Sequence, residues 1–253
     1  YYLGQRPVQL NGNNEYTYTN LTLGNHPISI IIRVRDTKGK FSIAYEKKIT
    51  LSDLTLINYV KSQYTGTQGE NNIYYHDSSL ANGAGDNSYR YAGASDSVNN
   101  YICLGSDATT CPDANLFRII GVFGNQTKVI RAKSVGYQQW HTSESNTWSS
   151  SSLNAYLNGT YLTSLGTIAE KIATTTWKVG GGSGSNISAS VPKTAYQNEV
   201  GSSASTTTVN KKIGLMYVSD YYYSASPSAW TLVGYNSNDA TKDYRAAKTT
   251  NWL

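Results

Sequence analysis

Two cysteines, three histidines and a scatter of aspartates are the side chains in this 253-residue sequence whose types and spacing could do chemistry. Cys103 and Cys111 bracket Leu-Gly-Ser-Asp-Ala-Thr-Thr, a stretch rich in turn formers. A disulfide closing this loop is expected, the alternative being two free core thiols. The chain-entropy treatment credits a loop of this length with about 2.5 kcal/mol. His26 lies in a turn and is expected to be solvated. His76 follows Tyr74-Tyr75 and precedes Asp77; a hydrogen-bonded loop anchor is expected there rather than a general base or a metal ligand. His141 follows Trp140, and an aromatic neighbour suits ligand contact as well as packing. Asp77, Asp86 and Asp96 lie with Asn82 and Asn87 among glycines. Oxygen ligands in such a loop can gather calcium, but the spacing matches no known calcium loop, and self-contained Asx turns are the competing reading. No other cofactor is expected. The chain has no Gly-x-Gly-x-x-Gly, no phosphate-binding loop, no Gly-x-Ser-x-Gly elbow, no His-Glu-x-x-His and no Cys-x-x-Cys. A non-catalytic protein is the expectation.

The strongest functional candidates are aromatic. Asp220-Tyr221-Tyr222-Tyr223-Ser224 and Trp230 precede Tyr235-Asn-Ser-Asn-Asp239. Read as a strand, three adjacent tyrosines cannot all face a core, because alternate side chains point to opposite faces. An exposed Tyr or Trp offers a flat apolar face and a polar tip, suited to sugar rings or protein loops. Tyr221, Tyr222, Tyr223, Trp230 and Tyr235, with Trp140 and His141, are the candidate ligand-binding set. Packing inside the fold is the competing reading for each of them.

The composition points the same way. There are 22 tyrosines, Ser, Thr and Asn together number 80, and charged residues are only 15%. Such polar-aromatic mixtures suit secreted surfaces that bind through uncharged contacts. A 39% hydrophobic fraction still allows a core, and no run of 18 apolar residues exists to insert into a membrane. Of the formal +5, residues 1–50 carry +4, with seven Lys/Arg against three Asp/Glu. The rest has no basic stripe, so nucleic acid is not an expected partner. Asn20, Asn125, Asn158 and Asn186 head Asn-x-Ser/Thr sequons that read as chance in a chain rich in Asn and Thr. The first residue is not Met and no leader or lipidation motif opens the chain, so a piece of a longer extracellular protein is expected.

The elements that must position these residues follow from hydrophobic period. Residues 1–50 read as β. Ile28, Ile30, Ile32 and Val34 alternate towards a turn at Asp36–Gly39, Phe41, Ile43 and Tyr45 alternate after it, and Tyr16–Thr19 is a further strand. Residues 51–63 are expected to form a linking helix, with Ser52 as cap and Leu54, Ile57 and Val60 on one face. Residues 64–100 read as loop. Leu116–Phe123 and Thr127–Lys133 around Gly124-Asn125-Gln126 read as a hairpin. A serine-capped helix carries Leu153, Tyr156 and Leu157. Asn158-Gly159 ends or kinks it, and Tyr161 to Ile172 continue the apolar face. Residues 180–190 and 201–208 read as loops, and Ile213–Val218 as a buried strand.

Several blocks occur in order that resemble one family: Tyr89-Arg-Tyr-Ala-Gly93, Asn99-Asn-Tyr-Ile-Cys103, Cys111-Pro112, Leu116–Phe123, Trp148–Gly159, Lys171-Ile172, Trp177–Gly180, Ile213–Asp220 and Ala225–Trp230. Over residues 64–253 the chain resembles a domain of unknown function from cell-surface proteins of gut Firmicutes, similar to the C-type-lectin-like fold in its formylglycine-generating-enzyme branch. The resemblance implies an α+β fold with twisted antiparallel strands and one or two helices. Family members continue past the Trp-Leu of 252–253, so the domain is expected to lack its closing strands. An oxidase of the formylglycine-generating kind needs reactive thiols in that closing part; here both cysteines precede the core hairpin. Residues 1–50 resemble part of a bacterial Ig-like or fibronectin type III-like module. The expected function is a non-catalytic adhesive or ligand-binding module on a bacterial cell surface, with neighbouring modules of the same chain and a surface glycan or protein as partners. A spacer without ligand and a part of a phage tail fibre are the alternatives.

Overall fold

The computed structural model describes residues 2–3, 6–7, 27–32, 37–40, 45–50, 55–181, 189–234 and 250–253. The chain forms two compact units, Tyr1–Tyr59 and Val60–Leu253. In the first, strands β1 (Tyr2–Leu3) and β2 (Arg6–Pro7) pair antiparallel. Strand β3 (Pro27–Ile32) pairs antiparallel with β4 (Tyr45–Thr50), in register from Pro27 opposite Thr50 to Ile32 opposite Tyr45. The alternating isoleucines and the turn at 37–39 are where the sequence pattern puts them. Tyr16–Thr19, Val34 and His26 lie outside the described residues. The linking helix α1 runs Leu56–Ser62.

The second unit is mixed α+β, built on a five-stranded antiparallel sheet. Its centre is β8 (Leu116–Phe123), with β9 (Gln126–Arg131) along one edge through the expected hairpin. The other edge is shared: β7 (Tyr101–Cys103) pairs with residues 116–118, and β6 (Ser88–Tyr91) pairs at Gly121 and Val122. Strand β5 (Ile73–His76) continues outward from β6. Between β6 and β7, Asn100 fills the gap: its carbonyl accepts from Ile119 N–H at 2.8 Å and its side-chain amide donates to Ile119 O at 2.7 Å. The register shifts between Ile119 and Gly121, so one extra β8 residue bulges against β9. Gly121 is needed there, because a Cβ would run into the carbonyl of Tyr89 on the neighbouring strand.

β8 is buried from Phe117 to Val122, which explains its near-continuous apolar run. Phe117 packs with Leu165, Ile168 and Ile172 from a broken helical segment. That segment comprises α2 (Ser152–Tyr156), a wide turn at Leu157–Tyr161, α3 (Leu162–Ser164) and α4 (Ile168–Lys171). Ser151 caps α2 by accepting from Asn154 N–H at 3.0 Å. Asn158-Gly159 falls in the wide turn, and the Asn158 amide brackets both the N–H and C=O of Ile213. A separate ribbon pairs β10 (Thr175–Lys178) with β11 (Thr208–Lys211). Helix α5 (Pro192–Glu199), opened by Pro192, packs on α6 (Val218–Tyr223).

Three expectations change. Residues 64–100 hold strands β5 and β6 rather than loop alone. Ile213–Val218 is not a strand: the Ile213 side is held by Asn158, and Gly214 lies so close to the Trp177 ring that no side chain fits. Tyr221–Tyr223 lie on a helix, not a strand.

Cys103 and Cys111 form a disulfide, with Cα atoms 5.8 Å apart. Reduction is expected to lower the melting temperature of the larger unit by roughly 5–10 °C, from a loss of about 2.5 kcal/mol. Calorimetry with and without reductant reads this directly, and identical melting would show that the loop needs no staple.

Candidate functional site

Helix geometry sorts the tyrosine run. Successive residues on α6 turn by about 100°, so Tyr221 is 37% exposed while Tyr222 and Tyr223 are 5% and 1%. Val218, one turn earlier, shares the outer face with Tyr221, and Leu215 and Met216 precede it, all three about as exposed. Trp230 is fully buried: its indole N–H donates to Ala225 O at 2.9 Å, and its ring meets Tyr74, Tyr223 and His76. Tyr223 donates its hydroxyl proton to Asn82 O at 3.0 Å, and burial pushes its pKa up. Tyr235 lies outside the described residues. Of the candidate ligand-binding set, α6 therefore puts Tyr221 on the surface and turns Tyr222 and Tyr223 inward, where Trp230 also lies.

Trp140 and His141 sit in a second place, beside the start of α2. Trp140 is 38% exposed, donates its indole N–H to Ser145 O at 2.9 Å and tilts against buried Trp148. His141 is half-buried, with Nδ1 3.3 Å from the Ser152 hydroxyl. Tyr137, three residues before Trp140, is fully exposed and Val135 partly so, residues the sequence reading did not single out.

Beneath α6 lies a buried polar cluster that no spacing in the sequence announces. Arg90 donates from Nη2 to Asp86 Oδ2 at 2.7 Å and from Nε to Ser88 Oγ at 2.8 Å. Its Nη1 lies 3.5 Å from Asp220 Oδ1. The guanidinium is stacked among Phe123, Tyr196 and Tyr223, 4.6–5.2 Å from their centres. Lys128 reaches Asp220 Oδ2 at 2.9 Å. Glu199, at the end of α5, accepts from Val218 N–H and Ser219 N–H, both at 2.8 Å, and so fixes the start of α6. Burial, opposed by those hydrogen bonds, pushes the Glu199 carboxyl above the ordinary glutamate value. For Asp86 burial acts upward too, but the Arg90 charge and the Ser88 hydrogen bonds outweigh it and hold the carboxyl below 3.8. Tyr196 and Tyr217 are pushed to about 12, chiefly by burial.

His76, expected as a hydrogen-bonded anchor in a loop, lies instead at the end of strand β5, opposite Ser88 of β6. It is fully buried, and Nδ1 accepts from Ala84 N–H at 3.1 Å, which assigns the proton to Nε2. Burial, reinforced by the Arg90 charge, lowers its pKa well below 6.5. The aspartates considered for calcium have local partners. Asp77 accepts from Ser79 and Leu80, Asp86 holds Arg90, and Asp96 accepts from Ser97. Among the described residues no three His, Cys, Asp or Glu side chains come together as a metal group. Among them, too, no helix is long and apolar enough to cross a membrane.

A second buried cation closes the far end of the sheet. Arg118 donates to Asn100 Oδ1 (2.7 Å), Ser95 Oγ (2.9 Å), Trp252 O (2.7 Å) and Val98 O (2.8 Å). It lies between the rings of Tyr101 and Trp252. Trp252 in turn donates its indole N–H to Tyr91 O at 2.7 Å. No family model, curated protein or solved structure matches the chain.

Proposed function

We propose that the chain is a non-catalytic extracellular module of a bacterial surface protein, in which a C-type-lectin-like domain follows an Ig-like segment and presents an aromatic edge to a glycan or protein. The observation that carries this reading is the exposed run Leu215, Met216, Val218 and Tyr221, 41%, 39%, 38% and 37% accessible. Four apolar side chains gathered in seven residues stay in water only at a cost, and such clusters mark contact surfaces. The edge stands on a fixed base: Glu199 holds the first amides of α6, and Tyr217 bonds Lys178 O at 3.1 Å. A rigid aromatic loses little entropy on binding. The disulfide fits an oxidising, extracellular setting.

The test is a glycan and protein array probed with the intact chain. Tyr221→Ala is expected to weaken any retained ligand by at least about tenfold while leaving the melting temperature nearly unchanged. A specific feature favours the alternative of a spacer without ligand: Arg90, Lys128 and Arg118 occupy the aromatic boxes internally, so those rings serve cohesion. Absence of any retained ligand from the array would favour the spacer.

A further inference from the structure

Lys128 and Asp220 are 92 residues apart in sequence, yet Nζ lies 2.9 Å from Oδ2. The Asp220 side chain is 2% exposed and that of Lys128 19%. Three rings surround the amine, with centres at 4.6 Å (Phe123), 4.7 Å (Tyr217) and 5.7 Å (Trp177). Lys128 pairs with Gly121 at the β8 bulge, so the bulge sets the register from which it reaches Asp220. The second carboxylate oxygen, Oδ1, faces Arg90 Nη1 at 3.5 Å, and this buried nitrogen has no hydrogen-bond partner. A simple ion pair explains the Lys128 contact. Arg90 Nη1 is ion-paired with the other oxygen but makes no hydrogen bond to it, so a donor stands in place beside Oδ1 with its hydrogen-bonding capacity unused.

We propose that Lys128 and Asp220 condense to an intramolecular isopeptide bond joining β9 to α6. Each part of the geometry has a role in that step. In this ring-lined site the step begins with a proton passing from Nζ to Oδ2 across their 2.9 Å contact, leaving a neutral amine and a carboxylic acid. The amine lone pair attacks Cγ and the N–C bond forms. The displaced electron pair goes to Oδ1, where Arg90 Nη1 stabilises it as the charge develops. A second proton moves from the nitrogen to the Oδ2 hydroxyl, the C–O bond breaks and one water leaves. Ammonium plus carboxylate become amide plus water, so no oxidant, cofactor or activating group is required. Holding the two groups in contact replaces the activation that a free amine and acid would need from outside. Glu199 maintains that contact by pinning the two residues before Asp220.

Intact-mass spectrometry of the folded, purified full chain tests the bond. The expected mass is that of the disulfide-linked sequence less one water. Proteolysis is expected to yield a branched peptide joining the Lys128 and Asp220 segments. Lys128→Arg is expected to restore the full sequence mass. Asp220→Asn is expected to lose one ammonia instead, because the same attack then expels the amide nitrogen. A folded wild-type chain at its full mass, less only the disulfide hydrogens, would overturn the proposal, as would a water loss mapped to any other pair of residues. The reading holds whether the exposed edge binds a ligand or not, so a failed array leaves it standing and an unlinked mass leaves the ligand reading standing.

Discussion

Replacing Arg118 with methionine is expected to destabilise the larger unit by about 3–5 kcal/mol, and to lower its melting temperature by roughly 10 °C. Methionine keeps much of the volume, so the loss is polar. Four donated hydrogen bonds disappear, and the carbonyls of Val98 and Trp252 and the Asn100 side-chain oxygen lose a donor inside the protein. Each buried acceptor stripped of its partner costs about 1–3 kcal/mol. Arg118→Lys is expected to recover less than half, since an ammonium cannot reproduce a planar fork held between the Tyr101 and Trp252 rings. Lys133→Met supplies the comparison. Its ion pair with Asp113 is equally short in kind, but both partners are more than 60% exposed. Removing it is expected to change stability by less than about 0.5 kcal/mol. Denaturant titration of the three variants measures the contrast. If Arg118→Met and Lys133→Met fall together, burial of the cation is not what holds the sheet to Trp252.

What the sequence discloses and what it hides divide along the same line. The β8–β9 hairpin is legible because Leu116-Phe-Arg-Ile-Ile-Gly-Val-Phe123 is β-branched and aromatic and ends in Gly124-Asn125. The α2 start is legible because a serine precedes an apolar stripe. Both depend on neighbours in sequence. Strands β5 and β6 read Ile-Tyr-Tyr-His and Ser-Tyr-Arg-Tyr, with buried His76, Ser88 and Arg90 where an alternation would need apolar residues. Their burial is made possible by partners elsewhere, such as Asp86 for Arg90 and Ala84 for His76, and so leaves no period. Ile213–Val218 carries the opposite error. Its apolar residues suggest a buried strand, yet Leu215, Met216 and Val218 face outward because the chain passes over Trp177 instead of joining a ladder. The tyrosine run shows α-helical sorting only once Asp220 is seen to accept from Tyr217 N–H at 3.3 Å and start the helix. The candidate edge was legible to the extent of Tyr221. The Lys128–Asp220 contact was not, because nothing in a single sequence connects positions 92 residues apart.

Arg90→Met is expected to cost about 3 kcal/mol at pH 7, and the deficit is expected to shrink as the pH falls to 4. The sign follows from two groups. In the wild type, burial pushes Asp86 up, but Arg90 and Ser88 more than offset it, so the folded value lies below 3.8. A depressed carboxylate contributes stability that is complete above its unfolded value and is lost only as pH falls through its folded one. Without Arg90 the burial remains and the attraction is gone, so Asp86 binds a proton at higher pH and the variant relieves its unpaired charge on acidification. His76 acts in the same direction. Its folded value lies well below 6.5, first through burial and then through Arg90. The unfolded chain therefore binds its proton first, and the wild type loses stability as pH falls below 6.5. Removing Arg90 weakens that depression, so the variant loses less over the same window. Both effects narrow the gap between wild type and variant from pH 7 to pH 4. They do so whether or not Asp220 has condensed with Lys128, because Asp86 and His76 take no part in that bond. A gap that stays constant with pH would instead assign the cost to lost packing against Phe123, Tyr196 and Tyr223, whose contacts with the Arg90 stem and guanidinium do not titrate in this range.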